Sequence, residues 1–176
     1  KDNSLDLYHG ELRLVDETGG QIVKFPASDY LNYIGEHVEA HTYLKSPFYR
    51  PLGWPGGVYR VGPLGRLNAA THISTPLAQD EMLKWKGLNG GRPVEGTLWF
   101  HYARLIETLY ALERARELVE DPNILSDDLV NDPVEMVGEG VGCVEAPRGT
   151  LMHHYWTDAN GLITQVNMIV ATGHNA

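Results

Sequence analysis

Residues 97–120, "TLWFHYARLIETLYALERARELVE", form one unbroken helical pattern, and a helix of that length must bury a face against a sizeable neighbour. Leu98, Tyr102, Leu105, Leu109, Leu112 and Val119 fall on one stripe, with Glu113 and Glu117 on the polar side. Pro122 ends it. Strand-like segments stand on both sides. Near the start, residues 7–25 read as a β-hairpin whose turn, "DETGG", carries glycines able to take positive φ. Near the end, residues 140–157 and 162–172 read as two strands joined at Asn160-Gly161, a strong hairpin signal. Hairpins at both ends with a helical middle make the fold α+β.

The remaining segments fill in around this frame. "SDYLNYIGEHVEAHTYL" has Ser28 or Asp29 as an N-cap and Tyr30, Tyr33, Ile34 and Val38 at helical spacing, so a helix is expected there. Residues 45–70, rich in proline and glycine, are expected to be irregular, yet Phe48, Tyr49, Trp54 and Tyr59 demand burial. A further helix is expected from Thr75 to Leu88, opened by a Thr-Pro pair. "DPNILSDDLVNDPVEMVGEG" is acidic and loop-like. The whole of 1–176 is expected to be a single domain. A polar "KDNS" opening and an end at "VATGHNA", just past a strand, lead us to expect the central fragment of a larger subunit.

A formal charge of −9 argues against a nucleic-acid surface, which needs clustered Lys and Arg. No apolar run reaches the roughly 20 residues of a membrane span. One cysteine cannot staple a domain internally, so a reducing, cytoplasmic setting is expected.

The candidates for chemistry are few. His37 and His41 stand four apart on the expected helix, but Glu39 is wrongly placed for a metalloprotease motif and no third ligand is near. His153 and His154 are adjacent on a strand and must face opposite ways. His101 is expected to contact the core or a neighbouring helix. Cys143, in a Val/Gly setting without a nearby base, reads as an inert thiol. "EAPRGT" is different. Pro147 restricts Ala146 to extended geometry and Gly149 permits a close approach, so Arg148 is presented from a stiff support. A guanidinium fixed in this way suits either a salt bridge with a carboxylate or an anionic or polar ligand.

Read together, "GELRLVDETG", "YLNYIGEHVEAHTYLKSPFY", "YRVGPLGRLN", "GVGCVEAPRGTLMHHY" and "GLITQVNMIVATGHN" resemble the large, catalytic subunit of nickel-iron hydrogenases, in particular the cytoplasmic bidirectional group linked to NAD(P) or a deazaflavin. "EAPRGTL" followed by "VATGHN" is the most specific part. The resemblance implies the large-subunit fold and the interconversion of H2 with two protons and two electrons. It implies a nickel-iron centre with cyanide and carbon monoxide ligands, held by two cysteine pairs, and a structural magnesium. Neither cysteine pair is present here, so no metal is expected on this fragment alone. Cys143 lies outside those motifs.

By resemblance, Arg148 hangs over the metals as base or electrostatic partner. Pro147 and Arg148 line one cyanide pocket, Thr172 with Ala171 beside it serves the other cyanide, and the Met168 carbonyl helps to bind magnesium. The implied partners are the small subunit with its iron-sulfur clusters and the NAD(P)- or deazaflavin-linked electron-transfer subunits, with a homo-oligomer of the fragment as a further expectation. Two alternatives stand beside this reading. One is a nickel-free relative, the quinone-site subunit of respiratory complex I, in which a lysine takes the place of Arg148. The other is a structural or assembly module without chemistry of its own.

Overall fold

A computed structural model describes residues 3–130 and 137–175. The expected first hairpin is present as β1 (Leu12–Val15) and β2 (Gln21–Phe25), paired antiparallel. Asp16 shapes the turn: its Oδ1 accepts from the backbone N–H groups of Thr18 and Gly20, both at 2.8 Å, and from the Thr18 hydroxyl at 2.6 Å. These bonds favour the charged carboxylate and hold its pKa below the usual value.

The helix expected over residues 28–44 does not form. After a 3-10 turn, α1 (Tyr30–Tyr33) makes one turn and gives way to β3 (Ile34–Val38), which pairs antiparallel with β4 (Lys45–Tyr49). Gly35 lies opposite Phe48, and a Cβ there would come within 2.6 Å of the Phe48 ring. Cross-strand packing against that ring, available only in the tertiary structure, outweighs a modest local helix preference.

The stretch expected to be irregular contains β4 and also α2 (Gly62–Ala69). The helix expected from 75 to 88 is α3 (Pro76–Gly87), and the long one is α4 (Trp99–Glu120), packed on α2 and α3. Its buried face takes only Tyr102 and Leu109 from the expected stripe. Ala103 and Ile106 are buried, with Tyr102, Leu109 and Tyr110 packed beside them, while Leu98, Leu105, Leu112 and Val119 are exposed. α4 is apolar on more than one side, so periodicity allowed two faces. The inner one has the small Ala103 at its centre, which allows the neighbouring helices to approach closely.

The C-terminal part is a three-stranded antiparallel sheet rather than a two-stranded hairpin. β5 (Glu139–Ala146) and β6 (Gly149–Thr157) meet at a two-residue turn, Pro147-Arg148, and β7 (Ile163–Ile169) pairs with β6 beyond the Asn160-Gly161 turn. A 3-10 turn, Ala171–Asn175, follows. Residues 131–136 of the expected acidic loop lie outside the described residues.

Two apolar clusters result. One, among the helices, contains Leu64, Leu67, Ile73, Met82, Trp85 and Ile106. The other, between the first hairpin and the C-terminal sheet, contains Phe25, Tyr30, Ile34, Met152 and Ile169.

Candidate functional site

The two-residue β5–β6 turn projects Arg148 beyond the end of the sheet, and the Ala146–Gly149 pair closes its base. Gly149 has φ +143, a conformation side chains rarely adopt. A Cβ there would lie 2.5 Å from the Val61 side chain and 3.0 Å from the Ala171 carbonyl oxygen. The glycine is what lets the turn sit down between these two segments. On the other side Gly62, also at positive φ, brings the start of α2 against the Arg148 backbone.

The guanidinium is exposed, and its Nε–H donates to the Thr172 hydroxyl at 3.1 Å. Pro147 and Thr172 are exposed beside it, whereas Ala171 is buried. Four sequence candidates, Pro147, Arg148, Ala171 and Thr172, are thus brought together from two chain segments. Met168 stands apart. It pairs with His153, four residues along β6 from Gly149, roughly 13 Å at the rise of a strand.

A second arginine lies beneath the turn. Arg66, on α2 and buried, makes a bidentate pair with Glu107 of α4, Nε to Oε1 at 2.6 Å and Nη2 to Oε2 at 2.7 Å. Its Nη1 donates to Glu145 Oε2 at 2.9 Å and to the Ala146 carbonyl at 2.8 Å. Burial opposes the charge of Arg66, and the bonds and charges of Glu107 and Glu145 outweigh it, so its pKa rises. A buried arginine–carboxylate network thus lies beneath the turn and is built on Arg66. Arg66 was not among the sequence candidates. Its one sequence signal is an arginine between Leu64 and Leu67, and its acidic partners lie 41 and 79 residues away.

Beside the turn, Val58, Tyr59, Val61, Thr97, Phe100 and His174 line a cleft of about 350 Å³. The Tyr59 hydroxyl and His174 Nε2 are 3.0 Å apart. Burial pushes the Tyr59 phenol up and the His174 imidazole down.

The other candidates stay outside the site. His37 stacks on Trp54 with ring centres 4.3 Å apart and bonds Glu39 at 2.8 Å, while His41 is exposed. The i, i+4 relation of these two histidines disappears with the helix that would have held it. His101 is exposed, where contact with the core or a neighbouring helix was expected. His154 is buried, with Nδ1 3.1 Å from the Tyr30 hydroxyl and Nε2 2.8 Å from Glu139; His153 instead contacts the Tyr155 hydroxyl. The two histidines face opposite ways, as strand geometry requires. The Cys143 thiol is pushed up to about 12 by burial and by the charge of Glu145, in keeping with an inert thiol.

A family model described as nickel-dependent hydrogenase matches residues 10–176. The chain belongs to the nickel-dependent hydrogenase family. It is 47% identical over 175 residues to a chain of the F420-non-reducing hydrogenase vhu of Methanococcus voltae, covering 99% of this chain and 41% of that protein. It is 44% identical over 176 residues to the beta chain of the NAD-reducing hydrogenase HoxS of Cupriavidus necator, covering 99% of this chain and 36% of the relative. The crystal structure of an NAD+-reducing [NiFe]-hydrogenase in the H2-reduced state superposes with a TM-score of 0.90 at 36% identity, covering 98% of this chain and 38% of that one. The [NiFeSe] hydrogenase of Desulfovibrio vulgaris Hildenborough, at 23% identity and a TM-score of 0.53, shares the fold. The chain thus spans about two fifths of the length of these hydrogenases.

The chain has a single cysteine, Cys143, and no group of three His, Cys, Asp or Glu suited to a metal occurs among the described residues. No helix of the described residues is long and apolar enough to cross a membrane.

Proposed function

We propose that this chain is the central part of the catalytic large subunit of a nickel-iron hydrogenase, and that Arg148 is the residue through which it takes part in interconverting H2 with two protons and two electrons. The observation that carries the reading is the 3.1 Å bond from Arg148 Nε to Thr172 Oγ1. It joins the two most distinctive stretches of the sequence at one exposed point. In this proposal the thiolates that hold the nickel and iron come from elsewhere in the subunit.

Arg148 brings a permanent positive charge and further N–H donors, oriented before any reaction begins. Splitting H2 unequally separates charge, and a group already aimed at the place where charge develops stabilises that separation without reorganising. Thr172 holds the guanidinium at one edge, Pro147 stiffens its support, and Ala171 packs the floor. In the same reading Pro147, Arg148, Ala171 and Thr172 line the pockets for the cyanide ligands, and the Met168 carbonyl serves a magnesium ion. The small subunit with its iron-sulfur clusters, the NAD(P)- or deazaflavin-linked carrier subunits and a cytoplasmic location complete the proposal. Exposed Leu52, Trp54, Val58, Leu98, Leu105 and Leu112 support self-association of the isolated chain.

Arg148→Lys in the complete subunit tests this reading. Lysine keeps the charge and loses the planar fork, so hydrogen oxidation per bound nickel is expected to fall by about a hundredfold or more while nickel content is retained. Wild-type turnover per nickel would remove Arg148 from the reaction.

A further inference from the structure

We infer that Arg66 is a positioning residue that sets the direction of Arg148 by clamping the base of its turn; this rests on the functional reading of Arg148. The geometry is directional at each joint. Glu145 and Thr150 face each other across the β5–β6 ladder one pair below Ala146 and Gly149. Thr150 Oγ1 donates to Glu145 Oε1 at 2.7 Å, and Arg66 Nη1 donates to Glu145 Oε2 at 2.9 Å, so both carboxylate oxygens are engaged. The same Nη1 reaches the Ala146 carbonyl, the last backbone acceptor before Pro147-Arg148. Arg66 is itself fixed by its bidentate pair with Glu107 on α4.

A rigid connection therefore runs from α4 through Arg66 to the residue preceding the turn, and ends at the Arg148–Thr172 bond. Arg66 and Thr150 are at least nine-tenths buried, and the carboxylates of Glu107 and Glu145 are 14% and 16% exposed, so water competes poorly for these bonds. A fixed fork is needed because one side chain must satisfy two carboxylates and a carbonyl at set angles, which a lysine ammonium cannot reproduce.

Two measurements test the inference. In the 176-residue chain, hydrogen exchange at the Arg148 Nε–H and the Gly149 amide reports how firmly the turn is held. Arg66→Lys is expected to speed both by about tenfold or more while the amides of α3 keep their rates. Equal acceleration everywhere would mean a merely structural role and would overturn the inference. If Arg66→Lys does not fold, Glu107→Gln serves in its place, since it loosens the bidentate pair that fixes Arg66 and leaves the Thr150–Glu145 bond intact. Unchanged exchange at the turn in that variant also overturns it.

In the complete subunit, Arg66→Lys and Arg148→Lys are combined in a double-mutant cycle, with turnover taken per bound nickel. If Arg66 acts through Arg148, its replacement costs about tenfold or more in the native background and less than about twofold once Arg148 is lysine. Independent, multiplying losses would sink the positioning role. Should Arg148→Lys alone keep wild-type turnover, the functional reading fails, while the exchange experiment still decides whether Arg66 holds the turn.

Discussion

The helical cluster and the sheet cluster are both buried, yet they are held together differently. Among the helices, Leu64, Leu67, Met82, Trp85 and Ile106 fill space with apolar volume. In the sheet cluster, buried His154 is tied to Tyr30 and Glu139, and Asn167 donates to the Tyr30 hydroxyl at 2.8 Å. Apolar packing is strong but tolerant of small shifts, whereas hydrogen bonds specify direction. Arg148 springs from the end of the sheet, and the directional bonds beneath its turn come from the helices, through Arg66 on α2 and Glu107 on α4.

Removing volume from the helical cluster should produce the largest loss of stability. Trp85 is fully buried, and Trp85→Ala is expected to cost about 3–5 kcal/mol in a chemical denaturation measurement. A cost below about 1 kcal/mol would mean that this cluster is not the main anchor. On the sheet side, His154→Ala should cost less, about 1–3 kcal/mol, chiefly by depriving the Tyr30 hydroxyl of a buried partner. His154→Phe refills the space without the bonds. If it restores full stability, the contrast between the two clusters collapses.

A smaller effect is expected from acid. Burial holds the His174 imidazole below the 6.5 of a free histidine, although the backbone at Ala171 and Val170 pulls the other way. As pH falls, the unfolded chain takes up this proton first. The stability contributed by neutral His174 is complete above about pH 6.5 and declines as pH drops through that value toward the lower folded one. Melting temperature between pH 7.5 and 5 should fall more steeply in the native protein than in His174→Gln; parallel curves would count against the assignment. Least of all should be the change at Cys143. With its thiol near 12, it should resist iodoacetamide at pH 8 while folded and react readily once unfolded. Rapid labelling of the folded chain would contradict the burial.

Local chemistry made some of this legible in advance. Asp16, Thr18 and Gly19 encode the first turn within a few residues, and Thr75-Pro76 and Pro122 punctuate the helices where the structure places their ends. The Glu-Ala-Pro-Arg-Gly run announced a guanidinium presented from a stiff turn, whereas Thr172 beside it was expected only from the family resemblance. Gly35 shows why residues 28–44 misled: its partner Phe48 is thirteen positions away, and no helical window contains both. Likewise the exposed leucines of α4 are as apolar as the buried side chains, so hydrophobicity alone could not choose between the faces.

The sequence alone determined the turn chemistry, the two longer helices and the α+β class, because each depends on neighbours a few positions apart, while the family resemblance named Ala171 and Thr172 beside the turn. Only the tertiary structure decided that β3 is a strand, which side of α4 faces inward, that the C-terminal sheet has three strands, and that Arg66 bonds Glu107, Glu145 and the Ala146 carbonyl beneath the turn. Each of these depends on contacts between segments far apart in the chain. Such contacts form when apolar surface and buried charge must be satisfied together, and that requirement has no local signature.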